Sequence, residues 1–145
     1  DELNFFSDNA SWIIMNDYEF KMYNEITGHT PSDIISNNKV LVVTDGDNGS
    51  NIFTIDKKLN ISTPKVEDPK DPTGCGDSFA GAMLANIVGC NGAVEDIEIM
   101  RNALVHATVT SSFLIGGLGS INLIDLQKGK YHARVDKYRR IVGLS

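Results

Sequence analysis

The sequence predicts an α/β fold with a mostly parallel sheet and one β-hairpin, and three observations lead there. Two short apolar runs, Ser11-Trp12-Ile13-Ile14-Met15 and Lys39-Val40-Leu41-Val42-Val43-Thr44, lack polar alternation, as expected of strands covered on both faces. Apolar residues recur at helical spacing over 17–26, 78–88 and 94–113. Two further strands, 50–55 and 59–62, meet across Asp56-Lys57-Lys58, a polar hairpin turn.

In chain order, residues 2–10 read as the end of a helix that begins upstream. The first strand stops at Asn16. The helix over 17–26 carries Phe20, Tyr23 and Ile26 on one side and ends before Gly28. Pro31 after Thr30 opens a short helix over 31–38, with Thr30 as its cap. The β-branched strand 39–44 runs into the turn Asp45-Gly46-Asp47-Asn48-Gly49. Residues 64–70 contain two prolines and stay extended. Next comes a helix with Phe79, Met83, Leu84, Ile87 and Val88 on its apolar face, closed by the stop and loop at 89–92. The helix over 94–113 turns a face of Ile97, Met100, Leu104, Ala107 and Thr108 or Ser111 toward a neighbour, and the glycines of 115–120 break it. Helical pieces follow over 121–128 and 131–143, where Arg134, Lys137, Arg139 and Arg140 make a solvated basic face.

The 145 residues suit one domain of ordinary globular composition. Thirteen Lys and Arg against nineteen Asp and Glu give a net charge of −6 without a basic run, which argues against a nucleic-acid partner. Cys75 and Cys90 form no CxxC pair, so reduced thiols are expected and a zinc site is not. No stretch approaches the ~18 apolar residues of a membrane span, and the acidic start is not that of a signal peptide, so the cytoplasm is the expected compartment.

The most specific stretch is Asp71-Pro72-Thr73-Gly74-Cys75-Gly76-Asp77, directly before the helix over 78–88. Two glycines around a small residue let the backbone bend so that unpaired N–H groups share one concavity at a helix start. With the helix dipole behind it, such a concavity binds anions. Asp77 at its mouth has two readings that spacing alone leaves open. It can cap the helix, or act as a base on a hydroxyl attacking a phosphate held by those N–H groups.

Asp71 to Ala82 resembles the C-terminal signature of the ribokinase-like (PfkB) family of carbohydrate and nucleoside kinases, Asp-Thr-Thr-Gly-Ala-Gly-Asp followed by Ser or Thr, Phe, a variable residue and Gly. Pro72 and Cys75 depart from the commoner Thr and Ala. The resemblance implies a Rossmann-like three-layer α/β/α ribokinase-like fold, of which residues 1–145 are the C-terminal nucleotide-binding and catalytic part, without the N-terminal substrate and lid half. It implies Asp77 as general base and the backbone of Gly74, Cys75 and Gly76 as anion hole.

Other family motifs appear in order. Asn16-Asp17-Tyr18-Glu19 matches an Asn-x-x-Glu motif near the phosphates and the Mg²⁺ shell, with Glu19 acting through water, and it also fits a capping box. Thr44, Gly46 and Gly49 match Thr-x-Gly-x-x-Gly, which contacts the nucleotide, although a Gly-x-x-Gly turn after a strand is more often structural. Thr108 aligns with a further nucleotide-contacting position, with His106 as the alternative. Asp71 and Thr73 would supply oxygens to a monovalent cation such as K⁺.

The resemblance thus implies an ATP- and Mg²⁺-dependent kinase acting on an alcohol of a sugar or nucleoside, its small-molecule partner. It is also compatible with a homodimer through the N-terminal lid. Residues 1–145 alone are expected to bind ATP weakly and to be inactive. The competing class is a nucleotide-binding or interaction module without catalysis. A dinucleotide fold is disfavoured because no third glycine falls at position 79, and a classical P-loop because no Gly precedes Lys-Ser or Lys-Thr.

Overall fold

The computed structural model describes residues 2–36, 38–90 and 96–144, which fall into two compact units divided after Ser62. The loop expected at 91–92 and a helix start at Val94 lie outside the described residues, as does position 37 of the short helix expected over 31–38.

The first unit runs α1 (Glu2–Asn9), β1 (Trp12–Asn16), α2 (Asp17–Thr27), α3 (Pro31–Ile35), β2 (Val40–Thr44), β3 (Ser50–Phe53) and β4 (Lys58–Ile61). Thr30 caps α3, and its hydroxyl is paired with Asp33, whose carboxyl is held below its usual range by those Thr30 bonds. The helix is shorter than expected and ends at Ser36.

The strands form one sheet in the order β1-β2-β3-β4. It is mixed where a mostly parallel sheet was expected. β1 and β2 are parallel, with Trp12 opposite Val40 and Asn16 opposite Thr44, while β2–β3 and β3–β4 are antiparallel. Only β1 and β2 are separated by helices long enough for a crossover. After β2 the Asp45 N–H donates to the Gly49 carbonyl at 2.8 Å, which folds the chain straight back as a second hairpin. β2 is the buried strand, and Tyr23, Ile34, Leu41 and Val43 form a core beside it that Ile13, Met15 and Phe20 extend. Ile26 does not join this core; it is 60% exposed one turn beyond Tyr23.

The second unit contains the extended segment before the motif, α4 (Cys75–Gly89), α5 (Ile97–Leu114), α6 (Ile121–Ile124) and α7 (Lys128–Ile141). Within it α5 is buried nearly all round, as the helix against which α4, α6 and α7 pack. Phe79, Met83 and Ile87 of α4 are buried, but Leu84 and Val88 are not, Val88 being 74% exposed. The buried stripe of α4 is therefore narrower than its apolar pattern.

The basic residues of α7 divide. Lys137 and Arg140 are exposed, whereas Arg134 lies 3.5 Å over the Phe113 ring and donates to the Ser112 carbonyl at 3.0 Å, at the end of α5. Arg139 donates to the Asn102 side chain at 2.7 Å. These two arginines fasten α7 to α5 instead of facing solvent.

His106 of α5 is half-buried with Nδ1 2.7 Å from the Tyr131 hydroxyl, so it is a packed residue. Burial lowers its pKa from the usual 6.5, and Arg139 and His132 add like charge.

Two outcomes follow for folding stability. Leu104→Ala should cost about 3 kcal/mol in urea unfolding because Leu104 is fully buried, whereas Val88→Ala should stay within about 0.5 kcal/mol. Because the unfolded chain protonates His106 first, its contribution is complete above pH 6.5 and is lost as pH falls from there through the lowered folded value. His106→Gln should flatten this limb of the stability profile, measured between about pH 5 and 8.

Candidate active site

The motif turn leads into α4 through Gly74, which sits in the left-handed region at φ 80° and makes no side-chain cap. Asp77 is the third residue of the helix, and Gly74 occupies the cap position, so the capping reading of Asp77 does not hold. Its exposed carboxylate has no partner among the described residues, and an acidic group in the first turn suits the helix dipole.

The hole differs from expectation in one donor. The Cys75 N–H is spent on the Pro72 carbonyl at 3.0 Å, and the Ser78 N–H on the Gly74 carbonyl at 2.9 Å. Among the described residues the N–H groups of Gly74, Gly76 and Asp77 are left without partners. Asp77 thus contributes a backbone donor next to its own carboxylate. A first-turn residue offers its N–H whatever its side chain does, and sequence reasoning looked only at the side chain.

Two serines support this turn. Ser111 Oγ of α5 donates to the Cys75 carbonyl at 2.9 Å, and Ser78 Oγ reaches the same oxygen at 3.0 Å. Cys75 Sγ lies 3.9 Å from the Ser111 carbonyl, and burial pushes this thiol up, with Asp71 adding to the shift. Sequence reasoning gave neither serine a role in the turn; the available signal was Ser78 three residues after Cys75, one helical turn on.

Asp71 anchors the other end. Its carboxylate accepts the Thr73 N–H at 2.9 Å, and the Thr73 side chain first, then the Thr73 and Gly119 N–H groups, hold it below the usual aspartate value. The N–H groups of Lys70 and Asp71 donate to the Ile115 carbonyl at 2.8 and 3.3 Å, tying the motif to the loop after α5. Thr108 is not at this surface. It is 5% exposed and hydrogen-bonds Tyr138, whose hydroxyl burial pushes up to about 12.

In the first unit, Asn16, Glu19 and Thr44 come together at the C-terminal ends of the parallel pair, where open α/β sheets bind ligands. Asn16 Oδ1 accepts the Glu19 N–H at 2.7 Å and Glu19 Oε2 accepts the Asn16 N–H at 2.9 Å, a complete capping box. Both side chains are exposed, and the box leaves Glu19 Oε1 and Asn16 Nδ2 without partners among the described residues. Gly46 opens a single 3₁₀ turn, Gly46–Asn48, and Gly49 follows it. Gly49 has φ 100°, and a Cβ there would collide with the Ile61 carbonyl and Ser62 Cα, so the turn needs this glycine for its backbone alone.

Among the described residues no cluster of three His, Cys, Asp or Glu side chains could hold a metal unaided, and no helix is long and apolar enough to cross a membrane.

A profile of pfkB family carbohydrate kinases matches residues 2–122. The chain belongs to that family. A nucleoside kinase of Methanocaldococcus jannaschii is 30% identical over 112 residues, covering 77% of this chain and 35% of its own length. Fructokinase-2 of Zea mays is 37% identical over 83 residues, 57% of this chain and 24% of the relative. Among solved structures, Burkholderia thailandensis nucleoside kinase in complex with ADP-inosine superposes with a TM-score of 0.77 at 26% identity, over 94% of this chain and 40% of that one. The chain therefore spans less than half the length of these relatives. The pfkB match covers the Asn16 box, the Thr44 turn, the Asp71 motif and the loop at 115–120 in one collinear stretch, and structures of this kind show the α/β ribokinase-like fold expected from those motifs.

Gly49→Ala should destabilise the chain by about 3 kcal/mol, because strain at positive φ adds to a backbone collision. Thermal or urea unfolding checks it, and a stable, wild-type-like variant would mean the turn is built differently.

Proposed function

We propose that this chain carries the phosphate-holding and proton-abstracting part of a kinase that moves the γ-phosphate of ATP to an alcohol of a sugar or nucleoside. The observation that carries this reading is the first turn of α4, where three unpaired backbone N–H groups stand beside an unencumbered carboxylate. Membership in the pfkB family and the relatives' activities, nucleoside kinase and fructokinase, support it.

In this mechanism the N–H groups of Gly74, Gly76 and Asp77 hold the transferring phosphoryl group, with the α4 dipole directed at its charge. Their geometry is fixed before the anion arrives. The Asp77 carboxylate takes the proton of the attacking hydroxyl, and its place beside the donors keeps base and phosphate within one helical turn. The acceptor is bound by other parts of the full-length protein. Thr44 and the Gly46–Gly49 turn, at the ends of the first unit's strands, are the proposed nucleotide contacts.

Glu19 fits a hard cation that keeps most of its waters. One carboxylate oxygen is used by the capping box and the other is open, and no second acid is needed if phosphates complete the shell. Mg²⁺ held there through water would neutralise charge on the ATP phosphates. A monovalent cation such as K⁺ at Asp71 and Thr73 would share Asp71 with the bonds it already accepts, and no step in the mechanism depends on it.

In the full-length protein Asp77→Asn should lower kcat by about 10²–10⁴ while leaving Mg-ATP affinity within about twofold. Steady-state kinetics over a sugar and nucleoside panel, with ATP binding by calorimetry, tests this. Unchanged kcat would refute the base, and binding without transfer in the wild type would favour a non-catalytic nucleotide module.

A further inference from the structure

We infer that Ser111 of α5, together with Ser78, is a positioning residue that polarises and aims the Gly76 donor of the anion hole; this rests on the phosphate-holding reading above. The Cys75 carbonyl and the Gly76 N–H belong to one peptide plane. Ser111 Oγ lies 2.9 Å from that carbonyl oxygen and Ser78 Oγ 3.0 Å, and the two hydroxyl oxygens are 3.2 Å apart. Two hydroxyls own two protons for these three contacts. If both protons stay within this group, any way of distributing them leaves at least one hydroxyl donating to the Cys75 carbonyl.

A hydrogen bond at the oxygen of a peptide draws electron density from its nitrogen, and chained bonds strengthen one another by about 10–30% each. The bond that Ser111 makes to Cys75 therefore strengthens the outward N–H of Gly76, which has no partner among the described residues. It also sets the direction of that N–H. α4 starts without a side-chain cap, so its first peptide plane is held by Ser78 from within the helix and, from α5, by the Ser111 hydroxyl and the Cys75 thiol contact with the Ser111 carbonyl. Neither serine touches the anion.

The test follows the Gly76 amide by NMR in the full-length protein, without ligand and during titration with inorganic phosphate and Mg-ATP. Ser111→Ala, Ser111→Thr and Ser78→Ala are compared with wild type, and Leu104→Ala serves as a variant that loses packing only. The expected result is an upfield Gly76 amide proton in Ser111→Ala, with phosphate and Mg-ATP affinity weaker by about three- to tenfold. Ser111→Thr should restore both, Ser78→Ala should give a smaller change, and Leu104→Ala should lower stability without moving the Gly76 resonance. A Gly76 resonance and anion affinity unchanged in Ser111→Ala would overturn the inference and leave Ser111 as a helix tether. If the wild type binds neither probe, the phosphate-holding reading fails, and the ligand-free Gly76 resonance still decides whether Ser111 polarises the peptide.

Discussion

An anion site made of backbone donors must hold those donors still without pairing them. Helix starts ordinarily satisfy their N–H groups with a capping side chain, as Thr30 does for α3 and Asn16 for α2. α4 begins with a glycine and no cap, and much of the second unit compensates from a distance. The Lys70 and Asp71 N–H groups are tied to the loop after α5, the Asp71 carboxylate gathers Thr73 and Gly119, and Ser111 and Ser78 grip the Cys75 carbonyl.

The first unit solves a related problem differently. Asn16 and Glu19 form a capping box and are also candidates for phosphate and Mg²⁺, and these roles are compatible because the box uses Asn16 Oδ1 and one Glu19 oxygen and leaves Asn16 Nδ2 and Glu19 Oε1 open. The cap fixes the rotamers that a ligand would need, so the same bonds that start α2 preorganise the polar atoms left over. Gly49 shows the opposite balance: its backbone demand is complete without any ligand, since the Ile61 carbonyl occupies the space of a side chain.

Much of this was legible in the residues. Continuous apolar runs mark β1 and β2, the Thr30-Pro31 pair marks α3, and the glycines of 74–76 mark the start of α4, because each is a local demand of the backbone. What could not be read depended on partners far along the chain. Ile26 and Val88 have the same hydrophobicity as their buried neighbours, and only the width of the surface packed against them decides their exposure. The second hairpin after β2 hides in a five-residue turn that could equally have led away from the sheet. Arg134 and Arg139 read as solvated because nothing in their own helix reveals Phe113 or Asn102. Cys75 was assigned an open N–H because a turn to Pro72 is invisible from spacing.

The missing cap on α4 also bears on the order in which the molecule becomes competent. Cys75 and Ser111 are 36 residues apart in the chain, so the part of the grip on the Gly76 peptide that comes from α5 forms only after α4 and α5 have docked, whereas Ser78 supplies the other part from within α4. A locally capped helix could present its donors fully held as soon as its first turn closed, but this one is fully held only once a distant partner has docked. The first turn of α4 should therefore be among the last parts of the second unit to gain protection during folding and among the first to open under native conditions, even though the helix behind it stays intact.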